Sequence, residues 1–125
     1  MNLIEALEIS ETHLTEKGYQ ASMKLGEFHA QPFGYVNGGA ILAFAEITAG
    51  YATGLLGQGQ YQAAGQSVTG NHLKAKKSQG MLYAQAELLH QGSRTHVWHI
   101  RMLDENNDLI SQVTVTNALI YAKGK

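Results

Sequence analysis

The 125-residue sequence contains no cysteine and a single proline, and its nine basic residues nearly balance its ten acidic ones. The absence of cysteine excludes a disulfide framework and any chemistry that needs a thiolate. The small net charge gives no electrostatic reason to expect a nucleic-acid surface. These absences favour a protein of the reducing cytoplasm that does not bind nucleic acid.

Several kinds of segment are also missing. Residues 1–10 lack the basic stretch followed by an apolar core that marks a signal peptide. No low-complexity block or linker divides the chain, so we predict one domain over residues 1–125. The longest apolar stretch contains Glu46, Thr48 and two glycines, which predicts that it falls short of a membrane span. We therefore expect a cytoplasmic protein that makes no contact with a membrane.

Hydrophobic patterning and turn residues predict one long helix among five or six strands. The helix is expected over residues 39–56, ended by Gly57, because apolar and small residues run through that stretch. Strands are expected at residues 8–14, 19–25, 62–73, 81–90, 95–104 and 109–121. This order predicts an α+β fold with the helix packed on an antiparallel sheet. A sheet that curls around the helix should bury it on nearly every face.

Glu46 does not fit an all-apolar helix, since it is the only Asp, Glu, Lys or Arg between Glu27 and Lys74. One interpretation is that it faces solvent or pairs with a distant cation such as Arg94. The other is a carboxylate held in a low-dielectric pocket and available as a base or nucleophile. Burial of an uncompensated carboxylate costs several kcal/mol, so a fold would retain it mainly for a function.

Gly38 and Gly39 stand where the helix begins, and Asn37 before them is a good N-cap. Unpaired N–H groups at a helix start suit a developing oxyanion, and glycine lets a carbonyl approach closely. Gly38 and Glu46 are eight residues apart, or about 12 Å along a helix, whereas reacting groups must come within about 3.5 Å. If both groups serve one reaction, the active unit is at least a dimer with two sites, and two antiparallel copies of the helix could bring Gly38 of one to Glu46 of the other.

The segment QPFGYVNGGAILAFAE, residues 31–46, resembles the signature of hotdog-fold acyl-CoA thioesterases of the phenylacetyl-CoA, 4-hydroxybenzoyl-CoA and 1,4-dihydroxy-2-naphthoyl-CoA type. The likeness continues through NHLKAKKSQG, LLHQGSRTHVWHIRMLDE and LISQVTVTNALI, and covers roughly residues 9–121. It implies a hotdog fold, in which a sheet of five to six antiparallel strands wraps one central helix. It also implies a homodimer at minimum, more typically a homotetramer, that hydrolyses an acyl-CoA with an aromatic or medium-sized acyl group. No cofactor is implied beyond the coenzyme A of the substrate.

The resemblance also assigns roles to individual residues. Glu46 would attack the thioester carbonyl or activate a water, and the Gly38 N–H would polarise the thioester oxygen. Gln31 would help to hold the thioester or the water, and Asn37 occupies the position of a family histidine. The residues that fall where the family holds coenzyme A are Gly65, His72, Leu73, Lys74, Ala75, His90, Gln91, Gly92, Ser93, Arg94 and Thr95. The Lys74 and Arg94 cations suit phosphates, and the N–H groups of the Gly92–Ser93 turn suit an anion.

Two departures from the family pattern leave other functions open. Asn37 replaces a histidine, and an amide takes up no proton at neutral pH. Gly50 stands where the family has Ser or Thr, four residues after the glutamate. The alternatives are a non-catalytic acyl-CoA-binding protein, against which the retained Glu46 argues, and a hotdog dehydratase, which Asn37 disfavours. His96 and His99 lie three residues apart on a predicted strand and so point to opposite faces, which predicts no metal site.

Overall fold

The computed structural model describes residues 1–123. Its helices are α1 (Leu3–Ala6) and α2 (Gly38–Gly57), and a short 3-10 turn spans Glu27–His29. Its strands are β1 (His13–Thr15), β2 (Gly18–Leu25), β3 (Tyr61–His72), β4 (Gly80–Gln91), β5 (Thr95–Leu103) and β6 (Leu109–Tyr121). The strands form one six-stranded sheet in the order β1-β2-β4-β5-β6-β3, and all neighbours are antiparallel. The predicted α+β arrangement, one long helix on an antiparallel sheet as in the hotdog fold, is confirmed.

The core lies between α2 and the inner face of the sheet. Along β5, Trp98, Ile100 and Met102 are fully buried, while Arg101 between them is exposed, as the two-residue period of a strand requires. The face of α2 turned to the sheet contributes Ile41, Phe44, Ala45, Ala49 and Ala52. The inward side chains of the strands and the apolar face of α2 therefore pack into one hydrophobic cluster.

Glycines in β3 and α2 let these two elements approach closely while running in opposite directions. A Cβ at Gly70 would lie 2.8 Å from Leu42 Cδ2, and a Cβ at Gly57 would lie 2.9 Å from Tyr61 Cδ1. Real Cβ atoms do not tolerate such separations. The amino-terminal end of α2 therefore lies beside the end of β3, and its carboxyl-terminal end lies beside the start of β3.

The prediction of a strand at residues 8–14 is wrong for most of that segment. Asn2 and Glu5 form a reciprocal capping box that starts α1 at Leu3. β1 is confined to His13–Thr15, and Ile9 makes one isolated bridge to Met23.

At the carboxyl-terminal end of α2, Gly57 is the last helical residue, and Gln58 takes the left-handed conformation (φ 47°) that ends the helix.

The prediction that α2 is buried on nearly every face is also wrong within one chain. Glu46, Tyr51 and Leu55 are exposed, because the sheet covers a single side of the helix. By length and composition α2 would suffice to cross a bilayer, with mean hydropathy 1.4, which corrects the expectation that the segment falls short of a span. The core helix of a water-soluble protein passes the same test, and the packing of α2 on the sheet accounts for its composition.

β3 leaves one edge of the sheet unpaired. It is twelve residues long, pairs with β6 on one side, and has no strand on its other side among residues 1–123. A long edge strand presents a row of free backbone donors and acceptors to another chain. The uncovered side of α2 lies next to this edge.

Candidate active site

The first turn of α2 leaves one backbone donor unused. Asn37 caps the helix, and its Oδ1 accepts a hydrogen bond from the Gly39 N–H at 2.8 Å. The N–H groups of Ala40 and Ile41 donate to the Asn37 carbonyl. Among residues 1–123 the Gly38 N–H has no acceptor, so it is a free donor at the positive end of the helix dipole. Asn37 thus acts first as a cap, through its side-chain oxygen.

The His72 side chain packs against Gly38. A Cβ at Gly38 would lie 2.6 Å from His72 Nε2, so only glycine accepts the imidazole there without a shift. The opposite ring nitrogen, Nδ1, lies 2.8 Å from Oγ of the fully buried Ser111. The resemblance assigns His72 to coenzyme A binding, and the structure shows that its ring lies directly beside Gly38.

Gln31 and Lys74 border the same region, which we call the amino-terminal cleft. This cleft has a volume of about 400 Å³, and its lining includes Gln31, Gly38, His72 and Lys74. Gln31 Oε1 accepts hydrogen bonds from the N–H groups of Phe33 and Tyr35, which leaves its amide Nε2 as the free donor. Lys74 pairs with Asp108 at 2.7 Å, and this hydrogen bond and the charge of Asp108 raise the pKa of the lysine.

Glu46 lies in a second depression, the Glu46 cleft, which has a volume of about 260 Å³ and also contains Gly50, Gly65 and Asn117. Within one chain Glu46 is exposed, so the interpretation of a carboxylate buried by its own chain is wrong. Its carboxylate rests on Gly65, where any Cβ would overlap Oε2. The absence of a side chain at Gly65 therefore leaves space for the Glu46 carboxylate, at a bulge in the pairing of β3 with β6.

A buried hydrogen-bond network adjoins the Glu46 cleft through Asn117. Thr53 Oγ1 accepts hydrogen bonds from Trp98 Nε1 at 2.8 Å and from Asn117 Nδ2 at 3.1 Å. Its one hydrogen is then donated to His96 Nδ1 at 3.0 Å. Burial, and secondarily the charge of His90, lowers the pKa of His96. This network was not predicted from the sequence, although Asn117 follows Val113 and Val115 at inward positions of β6, where a polar residue is unusual.

The residues predicted to hold coenzyme A form two groups at opposite ends of the sheet. His72 pairs with Ser111 at one end of β6, and Thr95 pairs with Ala118 near the other. Seven residues of strand separate these points by about 24 Å. Lys74 and Arg94 therefore do not border one common depression within a single chain.

The second of these groups is a tight turn. The Gly92 N–H donates to the Thr95 carbonyl at 2.9 Å. The prediction that this N–H is available to an anion is therefore wrong. The Tyr121 hydroxyl donates to the Ser93 carbonyl at 2.6 Å. The His90 ring lies against the turn at Gly92, where a Cβ would come within 2.8 Å of His90 Nε2. Gln91 ends β4 and is exposed, as is Arg94.

No cluster of three His, Asp or Glu side chains that could hold a metal ion occurs within residues 1–123. His96 is buried on the inner face of β5, whereas His99 Nε2 pairs with Gln112 Oε1 on the outer side. The prediction that the two histidines face opposite ways is confirmed.

Comparison with known proteins agrees with this architecture. The family profile described as the thioesterase superfamily matches residues 33–111. The 1,4-dihydroxy-2-naphthoyl-CoA hydrolase of Escherichia coli (strain K12) is 29% identical over 119 residues, which cover 95% of this chain and 87% of the relative. A crystal structure from Lactococcus lactis is similar with a TM-score of 0.91 at 50% identity, covering 98% of this chain and 100% of the other. A thioesterase enzyme of Staphylococcus aureus subsp. aureus Mu50, solved as a variant, has a TM-score of 0.87 at 30% identity, covering 96% and 99% of the two chains. This chain therefore belongs to the thioesterase superfamily.

Proposed function

We propose that this protein is a homodimeric acyl-CoA thioesterase that hydrolyses an aromatic or medium-sized acyl-CoA to the free acid and coenzyme A. The observation that carries the proposal is that one helix provides both a free Gly38 N–H and an accessible Glu46 carboxylate. A donor for the carbonyl oxygen and a base or nucleophile for the carbon are what acyl transfer needs. In one chain these two groups belong to separate clefts.

A second copy of the chain resolves that separation. Antiparallel pairing across the free edge of β3 would place the uncovered sides of two α2 helices face to face. Gly38 of one copy would then meet Glu46 of the other, and two-fold symmetry would create two equal sites. The same pairing would bring Lys74 of one copy toward Arg94 of the other, so that both groups of coenzyme A candidates border each site. Contact with the partner would also enclose Glu46, which one chain leaves exposed.

In the proposed reaction, the thioester oxygen accepts a hydrogen bond from the Gly38 N–H and the carbonyl carbon becomes more electrophilic. Gln31 Nε2 is a further donor beside it. Glu46 either removes a proton from the attacking water or attacks the carbon itself, and in the second case water cleaves the resulting anhydride. The carbon–sulfur bond breaks, and coenzyme A leaves as a thiolate that takes up a proton.

A neighbouring apolar depression supports the proposed class of acyl group. It has a volume of about 630 Å³ and shares Ile47, Gly50 and Ala63 with the Glu46 cleft. Tyr51, Tyr61 and Leu55 also line it, and the flat tyrosine rings with an aliphatic neighbour suit an aromatic ring. Gly50 and Gly54 add no side chain there, which leaves room for the acyl group.

Relatives support the same assignment. The Escherichia coli relative is named for hydrolysis of an aromatic acyl-CoA. Structures of the Staphylococcus aureus relative carry a glutamine or a glutamate replaced by alanine, at the same separation in sequence as Gln31 and Glu46. A cytoplasmic location is part of the proposal, since acyl-CoA substrates are made there.

The test is release of free coenzyme A, detected with a thiol reagent, from a panel of aryl- and alkyl-CoA thioesters. The chain has no cysteine, so the protein contributes no background. We expect turnover of at least one member by the wild type and a loss of about 10³-fold or more in Glu46→Ala, because a nucleophile or base is removed. Glu87→Ala, which removes an exposed carboxylate on β4 outside both clefts, should retain activity. Tight binding of acyl-CoA with no turnover by the wild type would instead identify the non-catalytic binding protein.

A further inference from the structure

Asn117 carries a buried polar atom that the fold leaves unused. The residue is 1% exposed, and its Oδ1 has no hydrogen-bond partner among residues 1–123. Buried acceptors are normally paired, and an unpaired one costs about 1–3 kcal/mol. The position therefore calls for an explanation other than stability.

The orientation of the Asn117 amide is fixed by its neighbours. Its other polar atom lies 3.1 Å from the Ala49 carbonyl oxygen and 3.1 Å from Thr53 Oγ1. A carbonyl oxygen only accepts, so the atom facing it must be Nδ2. Thr53 in turn is held by Trp98 and His96, which leaves it no freedom to exchange roles. Oδ1 is thus directed away from Ala49 and Thr53 by several mutually satisfied bonds.

Asn117 also lies in the Glu46 cleft, through its strand pairing. It pairs directly with Gly65, and residues paired across antiparallel strands point to the same side of the sheet. Because Gly65 has no side chain, the Glu46 carboxylate occupies the space above it. Asn117, Glu46 and Gly50 consequently line one depression of about 260 Å³, a volume that holds several water molecules.

We infer that Asn117 Oδ1 accepts a hydrogen bond from the hydrolytic water and holds it for Glu46, an inference that rests on the proposed function. The Glu46 side chain, turned toward the substrate, vacates the space over Gly65 for that water. One water hydrogen is bonded to Asn117 Oδ1 and stays on the water oxygen. The other passes to Glu46 as the oxygen attacks the carbonyl carbon, and it is returned to the coenzyme A thiolate when the carbon–sulfur bond breaks. If Glu46 is the nucleophile, the same water attacks the anhydride.

Gly50 offers an independent way to test this role. It lies one helical turn after Glu46, on the same side of α2. A Cβ at Gly50 would meet nothing within 4 Å, so a serine hydroxyl fits into the cleft. Such a hydroxyl can accept a hydrogen bond from the same water.

The experiment uses the change Asn117→Val, which removes the amide and suits a strand. Ala49 O keeps its helical hydrogen bond, and Thr53 keeps Trp98 and His96, so no new unpaired group is left and the fold should melt near the wild-type temperature. We expect kcat for the best acyl-CoA to fall by about 10- to 100-fold, with KM changed by less than about threefold, because water and not substrate is misplaced. The double change Asn117→Val with Gly50→Ser should recover at least about tenfold of that loss.

Thr48→Val is the matched control, since it also replaces a buried polar residue by valine. Thr48 Oγ1 bonds only to the Phe44 carbonyl and lies outside the Glu46 cleft, so kcat should be unchanged. A merely structural role for Asn117 predicts a lowered melting temperature and no recovery by Gly50→Ser, and either an unchanged kcat or the absence of recovery overturns the inference. Asn117→Ala repeats the test if the valine variant does not fold. Loss of turnover in Glu46→Ala with full turnover in Asn117→Val would reject only the role of Asn117, whereas an inactive wild type rejects both proposals.

Discussion

The Gly38 position carries two separate properties, a free N–H and the absence of a side chain beside His72. The N–H is one of the unsatisfied donors of the first helical turn, and glycine admits the imidazole at a distance that no Cβ tolerates. The first property is chemical and the second is steric. Substitutions at this single residue can separate them.

Gly38→Pro removes the N–H, and Gly38→Ala retains it while introducing a similar clash with His72. Proline is well accepted at the first helical position, and Asn37 already has the extended backbone (ψ 130°) that precedes proline. We expect both variants to lose some activity, but the proline variant to have a kcat about 10²–10³-fold below that of the alanine variant. Single-turnover kinetics on the best acyl-CoA provide the measurement. Equal rates in the two variants would show that the N–H does not polarise the thioester.

Glu46 shows what a single residue type can and cannot predict. Its isolation in an apolar helix marks it as a candidate functional residue, but the inferred burial depended on which side of α2 the sheet covers. A period of 3.6 residues reveals an apolar face and does not reveal how many neighbouring elements cover the helix. Asn117 was missed for a related reason, since its meaning depends on pairing with Gly65, which becomes visible only in the register of β3 and β6.

At the scale of elements, α2 and the strands from residue 61 onward were largely predictable. Their apolar and alternating patterns are long, and the turns between them contain glycine or clusters of polar residues. The segment before residue 16 was not, because a capping box at Asn2 outweighs weak alternation over a few residues. The separation of Gly38 and Glu46 needed only the rise of a helix, so it was predicted correctly. The separation of Lys74 and Arg94 needed the sheet order.

The contact of α2 with β5 and β6 through Thr53, His96 and Asn117 should make stability depend on pH. The pKa of His96 is lowered by burial, so below about pH 6.5 the unfolded chain binds a proton that the folded protein resists. Stability is full above that pH and declines as the pH falls. We expect the wild-type melting temperature to drop by about 2–6 °C between pH 7 and pH 5.

The matched variant for this prediction is His96→Gln, which can still accept the hydrogen bond from Thr53 but does not titrate. Its melting temperature should change less than that of the wild type over the same interval. Differential scanning calorimetry at several pH values measures both slopes. Parallel slopes would mean that His96 does not couple folding to pH.

In the whole molecule, the two proposed catalytic groups lie in separate clefts along α2, with Gly38 at its amino-terminal end and Glu46 near its middle. The amino-terminal cleft holds Gly38, Gln31 and His72, and the Glu46 cleft holds the carboxylate with Gly65 and Asn117. The coenzyme A candidates divide along β6 in the same way. The free edge of β3 and the uncovered side of α2 lie between the two clefts. Under the proposed function, one chain would carry two half-sites, and pairing of two chains would complete both.

Complementation between two variants, Glu46→Ala and Gly38→Pro, tests whether the active site is built from two chains. Each should be nearly inactive alone, because every site of the proposed dimer would lack either the carboxylate or the N–H. After exchange of subunits, a mixed dimer contains one site with both groups intact and one site with neither. Random mixing of two-fold dimers should therefore restore about a quarter of wild-type coenzyme A release. A mixture no more active than its two components, with subunit exchange verified by mass spectrometry, would contradict a site built from two chains.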